Sequence, residues 1–371
     1  MFREVIGVKQ NFGETRARFL QALAIGACYV WLIVRPEDAS RAATGALSLC
    51  AKVIVPSLFP FFVCANLFCA LHLTQPLERA LSGIMQPVFG VPGSGAAALV
   101  VGLTGGYPSG AQTIAALYAA GSIDKKTAGR LLLFCNNCGP AFIFGVVGPA
   151  VFGSRLAGLL LYLVHCTSAL LLGILPRKKA VVLPSENAAA AQESPPSYSA
   201  ALTASVKKAG QTALEVCMFV LLFGVLTALV QSALQVFLPP WALTAAAGIL
   251  ELSGGAGALA ELALTQRVKF TLASMLLAFG GLSVHAQTKA VLTPAGLGSL
   301  PVFLPKLLHA LTAGLLSIPV YLLFEAQLAS SAAFAACGTG AGFALTELVL
   351  GVLACPIFRK MAASNLRRNR V

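Results

Sequence analysis

The sequence is poor in charge. Only 11% of its 371 residues are Asp, Glu, Lys or Arg, where an ordinary soluble domain carries about a quarter. Acidic residues are scarcest, 13 against 26 Lys and Arg, and there are four histidines. A pathway for hard cations wants several carboxylates, so this shortage argues against metal-ion transport and against a resident metal or other cofactor. Aromatics make up 8% of the chain, with two Trp, and do not interleave with the basic residues. The net charge of +13 therefore does not describe a nucleic-acid surface. No GxSxG, HExxH, P-loop or Rossmann stretch occurs, and no nucleophile–base set accompanies the polar groups, so the chain is not read as an enzyme. The ten cysteines are scattered and mostly lie inside apolar runs (Cys28, Cys50, Cys64, Cys166, Cys217, Cys355), as packing residues do, rather than forming a disulfide framework.

Apolar sequence is abundant, at 57% hydrophobic residues and a mean hydropathy of +0.83. This composition predicts an all-α polytopic membrane protein of seven or eight transmembrane helices. Candidate spans are 19–34, 51–71, 131–150, 156–175, 214–237, 302–324 and 338–356. A mixed polar start containing Glu4 and Glu14 precedes the first run, with no small-residue cleavage site after it, which favours a retained helix over a removed signal peptide. One polar stretch, 176–208, splits the chain and carries Pro, Ser and five Lys or Arg. The expected organisation is an N-terminal segment with the first span (1–43), a first repeat (44–175), the linker (176–208), a second repeat (209–357) and a basic tail (358–371). The positive-inside effect puts the N-terminus and the linker in the cytoplasm. The tail is a conflict: its basic residues say inside, whereas three spans after the linker put it outside.

Two stretches break the apolar pattern at membrane depth. "GGYPSGAQT" (105–113) and "GGLSVHAQT" (280–288) share Gly105/Gly280, Gly106/Gly281, Ala111/Ala286, Gln112/Gln287 and Thr113/Thr288. Downstream, "GRLLLF" (129–134) faces "PKLLHA" (305–310) after a one-residue gap. Such a repeat fixes architecture. Three candidate spans separate the copies, and an odd count predicts inverted repeats, each carrying a re-entrant helical hairpin. Backbone off the helical path is tolerated at this depth only inside protein or along a watery cavity. Gly105, Gly106, Gly280 and Gly281 permit tight turns and Pro108 breaks the helix. Ser109, Gln112, Thr113, Ser283, Gln287 and Thr288 are then candidates for a midplane polar site, with Gln112 and Gln287 approaching one cavity from opposite sides.

"FCNNCGPAFIFG" (134–145) follows the first stretch. Asn136 and Asn137 in apolar surroundings are costly unless satisfied, and Gly139-Pro140 unwinds a helix and bares carbonyls. An alternative role for the Asn pair is helix–helix glue. Cys135 and Cys138 have redox or zinc spacing but no second pair or nearby His in sequence, and are read as packing. Ionisable groups in apolar segments are functional candidates by default: Glu215, Glu251, Glu347, His285, Lys306, His309, His165 and Lys52. Of these, Glu251 and His285 join the candidate site, while Glu215, Lys52 and Lys306 lie near span ends, where a side chain can snorkel.

At these motifs, and at "PSLFPFF" (56–62), the chain resembles the YlbJ-type sporulation integral membrane proteins, which carry a nucleoside-recognition or Gate domain. The resemblance runs over roughly 45–350. It implies an architecture like that of concentrative nucleoside transporters and of the gate regions of ferrous-iron transporters. It also implies a place in endospore formation, in the cytoplasmic membrane of the forespore or mother cell. Members favour Ser where Cys138 stands. The combined expectation is a transporter- or gate-like core for a small polar, nucleoside-like solute. The alternative is a structural or assembly protein of the developing spore that transports nothing. Lipid, such a solute and further copies of the chain are the partners this class allows; nucleic acid is not.

Overall fold

In the computed structural model, residues 2–71, 73–174 and 196–336 are described, and among them every regular element is helical. Helix α1 (Phe2–Val34) leads through Arg35 into α2 (Pro36–Ala70). Helix α3 (Glu78–Phe89) meets the next helical piece, which begins at Gly93 and continues as α4 (Ala96–Thr104), at a 102° bend. Then come α5 (Ser109–Ala119), α6 (Lys125–Leu132), α7 (Pro140–Phe152) and α8 (Arg155–Ile174). After the linker follow α9 (Tyr198–Leu234), α10 (Pro240–Leu250), α11 (Leu252–Glu261), α12 (Gln266–Phe279), α13 (Gly281–Leu292) and α14 (Phe303–Ala336). Among the described residues, six helical segments are long and apolar enough to cross a membrane, or seven if the bent pair is one span.

Proline and capping chemistry explain much of this segmentation. Three π-helical turns, Cys50–Ile54, Met85–Phe89 and Ile143–Val147, each lie within two residues of a proline (Pro56, Pro87, Pro149). A residue that cannot donate lets the hydrogen-bond ladder slip by one. Asp124 caps α6 by accepting from Thr127 N at 2.7 Å, and Ser197 caps α9 by accepting from Ala200 N. That second cap starts α9 inside the expected linker. Residues 198–208 are its first turns, because Ala201, Ser205 and Ala209 repeat at helical spacing and bury against the bundle.

Helix α14 follows membrane rules of packing. Lys306, His309, Ala313, Ser317 and Tyr321 form its buried stripe, while Leu311, Leu315 and Leu322 face outward, Leu315 being 72% exposed. Small and polar residues thus turn inward and leucines turn to lipid.

Three expectations need correction. The stretch 131–150 is not one span: the helix stops at Leu132, the chain is extended or turned through Gly139, and Pro140 starts a new, short helix. Asn-Asn-Cys-Gly-Pro cannot sustain the ladder there. Among the described residues, the helices wholly between the Gly-rich stretches that are long and apolar enough to cross are α8 and α9, and the odd count of three full spans is not reproduced. The second Gly-rich stretch is not a hairpin tip either: α12 and α13 run on through Gly280 as one 27-residue apolar segment. The expected span 338–356, Glu347 and the tail lie outside the described residues.

Candidate functional site

The first Gly-rich stretch is shaped by a piece of backbone. A Cβ added at Gly102 would lie 1.6 Å from the Cys135 carbonyl oxygen, and one added at Gly110 would lie 1.8 Å from the same atom. Two residues eight apart along a straight helix would be about 12 Å distant. Here both touch one oxygen, so the chain reverses between α4 and α5, around a cis Tyr107-Pro108 bond, and the 135–139 segment wedges into the fold. Gly106, at φ 79°, meets Gly139 backbone to backbone, its Cα 2.9 Å from where a Gly139 Cβ would stand. These glycines are required for close approach as well as for turning.

Unwinding frees backbone groups, and side chains satisfy them. Asn137 Nδ2 donates to Phe134 O at 2.6 Å, and Cys138 N donates to His165 Nε2 at 3.1 Å. Lys306 Nζ donates to Asn136 O. At the break between α12 and α13 the pattern repeats. Tyr107 hydroxyl donates at 3.3 Å to the carbonyls of Leu277 and Ala278, and His285 Nε2 meets Phe279 O at 3.0 Å. Each break is thereby stitched to its surroundings, which is what buried polar backbone demands. Asn136 Nδ2 also donates to Thr288 Oγ1 at 3.0 Å and ties the wedge to α13.

Lys306 is the centre of this cluster and is only 2% exposed. Its Nζ lies 3.2 Å from the Tyr107 hydroxyl and 3.5 Å from His309 Nδ1. His309 Nε2 meets His165 O at 3.1 Å, and the two imidazoles lie tilted to each other by 49° with centroids 4.6 Å apart. Three buried polar atoms here have no partner among the described residues: Asn136 Oδ1, Asn137 Oδ1 and His165 Nδ1.

Beside the cluster lies a cavity of about 50 Å³, lined by residues of both halves including Gly106, Tyr107, Gly139, Glu251, Ser253 and Gln287. That volume suits one or a few waters and is well short of the several hundred Å³ a drug-sized ligand occupies. Glu251 caps α11, accepting from Gly254 N at 2.6 Å, while also lining the cavity.

The candidate residues from sequence fall into separate groups. Glu251 and Gln287 share the cavity; Asn136 and Thr288 meet in the cluster. Gln287 donates to Ser283 Oγ at 3.2 Å, whereas Gln112 donates to Thr212 of α9 at 3.0 Å and is not among the cavity residues. Thr113 donates to Ser109 O within α5. Glu215 and Lys52 are exposed, but Lys52 lies midway along α2 and Glu215 midway along α9, so the expected span-end positions are not reproduced. Gly105, Gly106, Pro108, Gly139, Pro140, Gly280 and Gly281 all sit at helix breaks. Sequence reasoning undervalued Tyr107 and Lys306. The usable signal was the inward stripe Lys306, His309, Ala313 and Ser317 at helical spacing.

The molecule is thus a multi-pass α-helical membrane protein organised around a broken-helix centre. No protein-family model matches the chain, and no solved structure does. It is similar to the sporulation integral membrane protein YlbJ of Bacillus subtilis (strain 168), at 29% identity over 333 residues, covering 79% of this chain and 81% of that one. This similarity supports the YlbJ-type family indicated by the motifs.

Proposed function

We propose that the chain is a transporter- or gate-like core for a small polar, nucleoside-like solute, acting in the membranes of a forming endospore. Its relative's name supplies the sporulation context. The observation that carries the transport reading is the unwound 133–139 segment. Broken helices at the centre of a bundle are where transporters recognise solutes. Asn136 Oδ1, Asn137 Oδ1 and His165 Nδ1 offer two acceptors and a ring nitrogen without partners among the described residues. Neutral hydroxyl- and amide-rich solutes match such groups better than metal ions do. No catalytic step is assigned to the site.

A second reading, a spore-membrane scaffold that transports nothing, is favoured by the small cavity. Uptake by proteoliposomes, run with a panel of nucleosides and other small polar solutes, separates the two. The transport reading expects saturable uptake of at least one solute, lost in Asn136→Ala protein that still inserts and is assayed well below its own melting midpoint. No uptake of any solute, together with a spore defect on deletion, favours the scaffold.

A further inference from the structure

An unwound helix exposes carbonyl oxygens, each carrying partial negative charge, and broken-helix transporters use such oxygens to hold a free alkali cation. Here the freed Asn136 oxygen is met by an ammonium of the same chain. The arrangement of acceptors around Lys306 suits an ammonium. A carbonyl oxygen only accepts, so His309 Nε2, facing His165 O, carries the ring hydrogen and leaves His309 Nδ1 bare. The Tyr107 hydroxyl spends its hydrogen on the Leu277 and Ala278 carbonyls, so its oxygen is free to accept. Lys306 Nζ therefore faces three acceptors: Asn136 O, Tyr107 Oη and His309 Nδ1. An ammonium has three hydrogens to give; a neutral amine would aim its lone pair at one of these acceptors. The Tyr107 ring adds a further electron-rich contact, 4.9 Å from Nζ. Other titratable groups near the cluster are His165 on α8, His285 on α13, and Cys135 and Cys138 on the wedge. Among the described residues no carboxylate forms an ion pair with Lys306.

We propose that Lys306 is a tethered cation: its ammonium occupies the place that a free Na⁺ or K⁺ would take on the unwound segment, so the closed core assembles without an alkali ion. The assignment goes beyond the transport reading and stands whether or not a solute moves. Lys306 reaches the wedge from α14, so it brings the charge to the break at no cost in capturing an ion from water. It also joins the two halves, since the oxygens it meets on Asn136 and Tyr107 belong to the first half.

The test reads stability rather than flux, and so is independent of uptake. The full-length wild-type protein in detergent is melted in NaCl, KCl and choline chloride at equal ionic strength; the three midpoints should coincide. Lys306→Met, which keeps the stem and loses the charge, should melt lower than wild type. Lys306→Ala should also melt lower and shift upward saturably with propylammonium, which restores the missing three carbons and the charge, but not with propanol. A wild-type midpoint raised by Na⁺ or K⁺ over choline overturns the proposal, and this comparison needs no variant to fold. Lys306→Met melting with wild type, or rescue by propanol equal to that by propylammonium, overturns it as well.

Discussion

The two Gly-rich stretches share five residues at matching positions and are built differently. Around Gly105 the chain reverses; around Gly280 it continues in line. The difference lies in the flanking residues. Gly102 and Gly110 leave a slot for the Cys135 carbonyl, and the corresponding positions in the second copy are Leu277 and His285. A leucine and a histidine fill the space a backbone wedge would need. The wedge itself also has no counterpart. The residues of the second half that follow "PKLLHA" are Leu311-Thr312-Ala313-Gly314, which stay helical within α14 because no Asn-Gly-Pro sequence interrupts them. Shared glycines at a turn thus set where a helix breaks, and the neighbours set what the break becomes.

The sharpest way to break this comparison is to close the slot. Gly102→Ala or Gly110→Ala puts a methyl group inside the Cys135 carbonyl. Either should cost about 3 kcal/mol or more and remove most folded protein from the membrane fraction. Gly45→Ala, where nothing lies within 4 Å, should be neutral or stabilise by up to about 1 kcal/mol in the same melting assay. Next in size is the stitching between halves. Asn136→Ala leaves Thr288 without its cross-half donor and should lower stability by roughly 1–3 kcal/mol; an unchanged detergent melt would show that the wedge is held by packing alone. Tyr107→Phe keeps the ring but frees the Leu277 and Ala278 carbonyls, for a loss of about 1–2 kcal/mol. Removing the matching stitch by His285→Ala, which bares Phe279 O, should cost a similar amount if the two breaks are satisfied alike.

The smallest effect is outside the centre. Asp124→Ala removes the cap of α6 and should cost about 1 kcal/mol. The Thr127 hydrogen bond holds the Asp124 carboxyl below its ordinary range. A carboxyl lowered by folding stabilises above its unfolded value and ceases to as pH falls through its folded one. The gap between wild type and Asp124→Ala should therefore shrink as the medium is acidified below about pH 4, in a pH series of melting curves.

Composition made the membrane class legible, and Gly and Pro marked the breaks at 105–108, 139–140 and 280–281, because those residues act through local backbone sterics. The stretch 131–150 was misread as a span because hydropathy averages over residues and is blind to where Asn137 and Lys306 must reach. The second hairpin was misread because Gly280-Gly281 alone does not distinguish a reversal from an in-line interruption. Which polar residues meet was the least legible part. Gln112 and Gln287 occupy equivalent places in the motif, yet their partners, Thr212 and Ser283, are set by packing against α9 and by a local helical turn. Lys306 lies near a span end in sequence and points inward only because its helical face is the one with alanine and serine.

Cys138 lines the small cavity and, with Cys135, is buried on the wedge. The protein therefore carries its own chronometer. A thiol reagent can reach the buried Cys138 sulfur only when the structure around it opens, so the rate of its alkylation counts openings, and cutting the cross-half hydrogen bonds of Asn136 and Tyr107 should make that clock run faster.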